Sequence, residues 1–250
     1  MNVLEFKNVS KTFYTKTSQT QAIKDLSFTI KEGEFVALLG PSGCGKTTIL
    51  SLICGILPQS EGEILINGEP AHISSKVGYM LQHDHLFEWR NIYKNVILGL
   101  EIQKKLQKEN TAHAVSLLDK YGLTEFSNHY PNQLSGGMRQ RVALIRTLAT
   151  NPQILLLDEP FSALDFQTRL KVCDDVYSII KKEGKTTLLV THDISEAISM
   201  ADRIIVLTAR PATIKQEHLT LMQDVSTPLL RREHKDFSKQ FETIWQELNV

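Results

Sequence analysis

At 250 residues the chain suits one large α/β domain, or one carrying a small inserted subdomain, with ample apolar content for a core. Its 28 Lys+Arg cancel its 28 Asp+Glu, so the charge balance asks for neither nucleic acid nor anionic lipid, and no nucleic-acid partner is expected. Cys44, Cys54 and Cys173 form no C-x-x-C pair, which argues against a disulfide framework or structural zinc; with no leader and no apolar run near the ~18 residues of a membrane span, a cytosolic or peripheral protein is expected.

From the N-terminus, Leu4–Val9 and Leu26–Ile30 read as strands, separated by a polar loop over Thr15–Gln21. Phe35–Leu39 is a short apolar run of the kind found in buried parallel strands, and Thr48–Ile56 reads as a helix. Ile64–Ile66 followed by Asn67-Gly68 predicts a strand entering a type I′ hairpin. Residues from about 88 to 150 are helix-rich and strand-poor; within them Met138, Val142, Ile145 and Ala149 recur at helical spacing, leaving Arg139, Gln140 and Arg141 on other faces. Strand signals return at Ile154–Leu157, Thr187–Val190 and Ile204–Leu207, separated by helical stretches. This alternation predicts an α/β fold with a mainly parallel sheet, into which the helical block is inserted. In the tail, Phe237, Phe241, Ile244, Trp245 and Leu248 make one stripe of an amphipathic helix, expected to dock on the domain's own surface, with a partner surface as the alternative.

Three segments carry chemistry. Gly40-Pro41-Ser42-Gly43-Cys44-Gly45-Lys46-Thr47 fits G-x-x-x-x-G-K-[ST] between a strand and a helix that continues through Thr48. Its glycines let the backbone curl round phosphates, Lys46 neutralises the β/γ-phosphates, and the Thr47 hydroxyl is a hard oxygen ligand for Mg²⁺. Cys44 reads as a small residue within the loop. Ile154-Leu155-Leu156-Leu157-Asp158-Glu159 is an apolar strand ending in two acids: Asp158 can hold Mg²⁺ through water, and Glu159 can polarise the attacking water. Ser135-Gly136-Gly137 opens a helix whose N–H groups and dipole face an anion; Ser and Gly are also good cap residues, so a helix cap alone is the lesser alternative. A second phosphate-binding helix start has a use if it meets the nucleotide held by another subunit's Gly40–Thr47 loop.

With these motifs in this order the chain resembles the ATPase subunits of ABC transporters over almost its whole length. The resemblance implies a RecA-like P-loop NTPase core with an antiparallel β portion and an inserted α-helical subdomain. Residues 1–220 would form this nucleotide-binding domain, with the insertion at about 88–150, and residues 221–250 the tail. It places Phe13, with Tyr14 as the other candidate, against adenine. Gln82 becomes the residue that senses Mg²⁺ and links to the membrane subunits, and Ser162-Ala163-Leu164-Asp165 the loop that communicates across a dimer. His192 becomes the γ-phosphate contact. Two subunits would close over two ATP molecules. Each site would join Lys46, Thr47, Gln82, Asp158, Glu159 and His192 of one copy to Ser135, Gly136 and Gly137 of the other.

Within the family the chain is most similar to the nitrate/sulfonate/taurine importer group, in Asp158–Asp165, in Ala209-Arg210-Pro211-Ala212, in Trp89 and in the aromatic tail; Glu88 departs from that group's usual proline. This implies import of a small solute, a vitamin-precursor pyrimidine included, at the cytoplasmic face of the cell membrane, with integral membrane permease subunits and an extracytoplasmic substrate-binding protein. An exporter or lipoprotein-release ATPase is the alternative. A GTPase is disfavoured because the chain contains no Asn-Lys for a guanine-reading motif, and a DNA-maintenance ATPase because 250 residues leave no room for a long coiled coil. His83-Asp84-His85 lacks the further ligands of a zinc site.

Overall fold

The computed structural model describes residues 1–71 and 76–249. In chain order its strands are β1 (Asn2–Tyr14), β2 (Gln19–Lys31), β3 (Phe35–Leu39), β4 (Glu61–Ile66), β5 (Glu69–Pro70), β6 (Val77–Met80), β7 (Ile154–Asp158), β8 (Thr186–Thr191), β9 (Arg203–Leu207) and β10 (Ile214–Leu219). Its α-helices are α1 (Lys46–Ile53), α2 (Ile92–Val96), α3 (Leu98–Ile102), α4 (Lys108–Lys120), α5 (Gly136–Leu148), α6 (Phe166–Lys182), α7 (Ile194–Met200), α8 (Pro228–Glu233) and α9 (Lys235–Asn249).

Two sheets result. One is antiparallel in the order β2–β1–β4–β5; the other runs β10–β9–β3–β8–β7–β6, parallel except for β10. The central strands of the second sheet are apolar at nearly every position because both of its faces are covered. Alternate residues serve different cores. Ala37, Leu39, Leu155, Leu157, Leu189 and Val206 join the core shared with α5, α6 and α7. Val36, Leu38, Leu156, Leu188, Val190 and Ile205 face α1 and the antiparallel sheet. The phosphate loop and both acids sit where β3 and β7 end, which for parallel strands is one rim of the sheet.

The expected elements are present, with shifted limits. β1 and β2 are long ribbons joined by a turn of only residues 15–18, so Gln19–Gln21 belong to a strand and not to the loop. Register shifts between Phe6 and Lys11 allow this: a bulge lets polar and apolar residues change faces, which blurs the alternation that marks a strand. α1 begins at Lys46 and ends at Ile53. The hairpin at Asn67-Gly68 has φ of 52° and 77°, the positive values that a type I′ turn demands. Between β6 and β7 the insertion is helical throughout its regular structure.

The tail docks on its own domain. Ile244 is fully buried in the larger core, and Phe237, Phe241 and Leu248 pack against that core. Trp245 does not complete the buried stripe: it remains 55% exposed and stacks on Phe241 at 6.2 Å. α8 adds an anchor that periodicity does not reveal. Arg231, 1% exposed, donates to the carbonyls of Val225 (3.0 Å), Ser199 (3.2 Å) and Ala201 (3.2 Å) and to the Tyr177 hydroxyl (3.0 Å).

Candidate active site

The loop between β3 and α1 turns through Gly43 (φ 76°) and Gly45 (φ 128°), conformations that side chains other than glycine resist. A Cβ on Gly45 would also lie 3.1 Å from the Ala22 carbonyl of β2. Lys46 is buried, and its Nζ folds back to donate to the carbonyls of Gly40 (2.8 Å) and Pro41 (3.1 Å). Ser42, Gly43, Gly45, Lys46, Thr47 and Thr48 line a cavity of about 250 Å³, closed from outside the loop by Glu159 and Arg210. Cys44 is buried, and burial pushes its thiol up from the ordinary range, so it packs there as a small neutral residue. Its N–H donates to the Pro41 carbonyl (3.2 Å).

Asp158 ends β7, and its Oδ2 accepts a hydrogen bond from the Tyr79 hydroxyl of β6 at 2.8 Å. Burial raises the Asp158 carboxyl above the usual range; the Tyr79 bond and the Lys46 charge oppose that, while Glu159 adds to it. Burial and the Asp158 carboxylate push the Tyr79 phenol strongly upward, so it stays a donor. Glu159 takes a left-handed backbone, φ 45°, with its N–H on the Val190 carbonyl at 2.9 Å. That turn aims its carboxylate at the loop. Oε1 lies 3.1 Å from His192 Nδ1 and 3.9 Å from Lys46 Nζ, and Gln82 Nε2 approaches Oε2 at 3.5 Å. Gln82 also donates to Ser162 Oγ (3.3 Å), which in turn donates to the Glu159 carbonyl (3.0 Å).

Lys46, Gln82, Glu159 and His192, far apart in sequence, are thus gathered beside Thr47 and Asp158. A buried cation, a hydroxyl, two carboxylates and an amide suit a polyphosphate with a hard divalent ion. Among the described residues no three His, Cys, Asp or Glu groups cluster for a metal. An ion here would therefore complete its shell with phosphate and water oxygens, as Mg²⁺ does.

Other sequence-selected residues lie outside that cavity. Ser135 caps α5, accepting from the Met138 N–H at 3.3 Å, and is itself exposed. A Cβ on Gly137 would meet Val172 Cγ2 at 2.8 Å, so this glycine lets α5 press on α6. Gly136 approaches Leu164. Asp165 caps α6 through the Thr168 N–H (3.0 Å), a bond that holds its carboxyl below the usual range. Phe13, 38% exposed, has the Lys11 ammonium 5.2 Å from its ring centroid, and Tyr14 beside it is exposed.

Several residues escape sequence reasoning. Tyr79 and Arg210 gave no signal as site residues, and Gln140, which falls off the apolar stripe of α5, is buried and donates to the Pro160 carbonyl. It ties the helix opened by Ser135 to the turn holding Glu159. His83–Asp84–His85 serves packing: Asp84 pairs with Arg139 at 3.0 Å, and Arg146 donates to the carbonyls of Asp84 (2.6 Å) and His85 (2.7 Å).

Known proteins resemble the chain in sequence and in fold. A family model described as ABC transporter matches residues 23–162. The ABC transporter ATP-binding protein YtlC of Bacillus subtilis strain 168 is 48% identical, covering 100% of this chain and 96% of its own length. The taurine import ATP-binding protein TauB of Ruegeria pomeroyi is 40% identical over 94% of this chain and 88% of its own. The nitrate import ATP-binding protein NrtD of a Synechocystis species is 40% identical over 90% and 85%. Among solved structures, the dimeric post-hydrolysis state of the ATP-binding cassette MJ0796 bound to ADP and Pi superposes with a TM-score of 0.73 at 35% identity, covering 87% of this chain and 98% of that one.

Proposed function

The chain belongs to the ABC transporter family as an ATP-hydrolysing subunit, and from that premise we propose that it energises import of a small solute of the nitrate, sulfonate or taurine kind, or of a pyrimidine vitamin precursor. The observation that carries the reading is the meeting of Lys46, His192 and Gln82 around the carboxylate of Glu159, which with Lys46 lines the phosphate-loop cavity, with Ser135–Gly137 outside it. A site complete within one chain would leave that exposed helix start without a ligand. A dimer closing head to tail over two nucleotides supplies one.

In this reading the Gly40–Thr48 backbone cradles the phosphates, with Lys46 exchanging its carbonyl partners for phosphate oxygens. Thr47, Asp158 and Gln82 would hold Mg²⁺, which supplies charge neutralisation across the β- and γ-phosphates. Glu159 positions and polarises the attacking water, and its carboxylate is kept in place by His192 and Gln82. His192 contacts the γ-phosphate, and Phe13 or Tyr14 stacks on adenine. Ser135, Gly136 and Gly137 of the second copy close the site, and Asp165 lies at the seam. Gln82 relays closure to permease subunits at the cytoplasmic membrane face, while an extracytoplasmic binding protein delivers the solute to those subunits from the opposite side. Two of the relatives compared above, TauB and NrtD, are named as import ATP-binding proteins, which favours import over the exporter or lipoprotein-release alternative.

Affinity capture of the tagged chain from detergent-solubilised membranes tests this. A polytopic permease together with a secreted binding protein is the expected result. A permease alone would transfer the chain to the exporter class, and no membrane partner would end the transport reading.

A further inference from the structure

Arg210 sits on the turn between β9 and β10, outside the phosphate loop and the acid-bearing strand end, yet its side chain closes the phosphate-loop cavity. One Nη2 donates to the Gly43 carbonyl at 2.8 Å. Among the described residues no carboxylate pairs with it within 4.0 Å, whereas Lys46, the other cation lining the cavity, is already faced by Glu159. A guanidinium carries five N–H donors in a fixed fork, so one bond to a carbonyl leaves a charged, multidentate face for an anion.

The turn is held in place. The Thr208 N–H donates to the Thr213 carbonyl (3.0 Å), and the Thr213 N–H returns to Thr208 Oγ1 (2.9 Å). Ala212 donates to the Ala22 carbonyl (2.9 Å) and accepts from the Lys24 N–H (3.1 Å), fastening the turn to β2. β2 also backs the loop, since the same Ala22 carbonyl lies 3.1 Å from where a Gly45 Cβ would stand. Arg210 and the phosphate loop therefore share one rigid support. Fixing a cation beside a cavity in advance lowers the ordering cost when an anion enters.

We infer that Arg210 is a further nucleotide-binding residue, a second cation that bonds the phosphate chain while bracing the loop at Gly43. The inference rests on the nucleotide-binding reading above and adds to it a residue outside the phosphate-loop motif.

The test is equilibrium titration of the full chain with a fluorescent ADP analogue at several salt concentrations, for wild type, Arg210→Ala, Arg210→Lys and Lys46→Ala. Nucleotide-free melting is recorded for each. The expected result is about tenfold weaker binding by Arg210→Ala, the size of a lost charge-assisted bond. Its salt dependence should be shallower, Arg210→Lys should recover part of the affinity, and melting should stay near wild type. Arg210→Ala binding within about twofold of wild type, while Lys46→Ala binds poorly, overturns the role of Arg210 and leaves the site intact. An equal loss in Arg210→Ala and Arg210→Lys with unchanged salt dependence also overturns it, as the mark of a brace alone. A wild-type chain that fails to bind overturns the nucleotide site and Arg210 together.

Discussion

Oε1 of Glu159 lies 3.1 Å from Nδ1 of His192, and the same oxygen faces the Lys46 ammonium at 3.9 Å. The carboxylate is thereby aimed before any nucleotide arrives, and an imidazole engaged at Nδ1 keeps Nε2 for another partner. Fixed dipoles and charges that need not reorganise are what lower a barrier to phosphoryl transfer.

Glu159→Gln keeps the shape and removes the base. ATP affinity should stay near wild type while steady-state turnover falls by about a hundredfold or more. Comparing nucleotide titration with a phosphate-release assay checks this, and near-normal turnover would remove Glu159 from the reaction.

Tyr79→Phe deletes the hydroxyl on Asp158 Oδ2 and nothing else of size. That bond lowers a carboxyl that burial has raised, so its loss lets the Asp158 pKa climb further. The acid limb of the turnover–pH profile should move to higher pH in the variant. An unmoved limb would mean that Asp158 ionisation does not control the rate.

Ser135→Arg places bulk and charge at the exposed start of α5, away from the cavity of its own chain. Monomer folding and ADP binding should persist, while ATP-dependent dimers of the slow-hydrolysing Glu159→Gln background disappear in size exclusion. Dimers that survive the substitution would refute a site shared between copies.

How much of this was legible in sequence depends on what signals it. Local patterns announce themselves: the apolar run Phe35–Leu39, the glycine loop after it, and the tail stripe ending at Leu248, Trp245 apart, each sit where expected. Long-range partners do not. Gln140 falls off the apolar stripe, and no period in α5 can tell that Pro160, on another segment, offers it a carbonyl. Arg210 and Tyr79 are single residues whose meaning comes from the loop or strand folded against them. Ser135–Gly137 is the converse case. Its spacing points to a phosphate, but within one chain its visible work is to cap α5 and let it pack.

Glu196 links stability to pH. Burial first, then the Asp193 charge, raise its carboxyl from 4.5 to about 7, while Thr191 Oγ1 donates to it at 2.8 Å. The folded chain holds a proton that the unfolded chain releases across that window, so this group lowers stability as pH rises and keeps it lower above about 7. Glu196→Gln should be near neutral at the acid end and stabilising by up to on the order of 3 kcal/mol at alkaline pH. Urea unfolding of both proteins at each end reads it out; a difference independent of pH would exclude this origin.

Arg231→Met tests the anchor in α8. The carbonyls of Val225 and Ser199 and the Tyr177 hydroxyl lose the Arg231 donor in a dry setting, and Ala201 keeps only its bond from Thr220 Oγ1, at a cost of about 3–5 kcal/mol. The melting temperature should drop and cleavage of the tail by protease should quicken. A variant as stable as wild type would show that α9 alone secures the tail.

Glu159 adopts its left-handed backbone at φ 45°, a shape that asparagine or glycine takes with less strain, and that costs a longer side chain about 1–2 kcal/mol. Thermodynamics and turnover therefore pull this position in opposite directions. Were a lineage to retain the subunit for closing on nucleotide but stop needing hydrolysis, drift toward glycine or asparagine would be downhill here. A duplicated copy with that exchange, its other site residues intact, would be the relic of a retired engine.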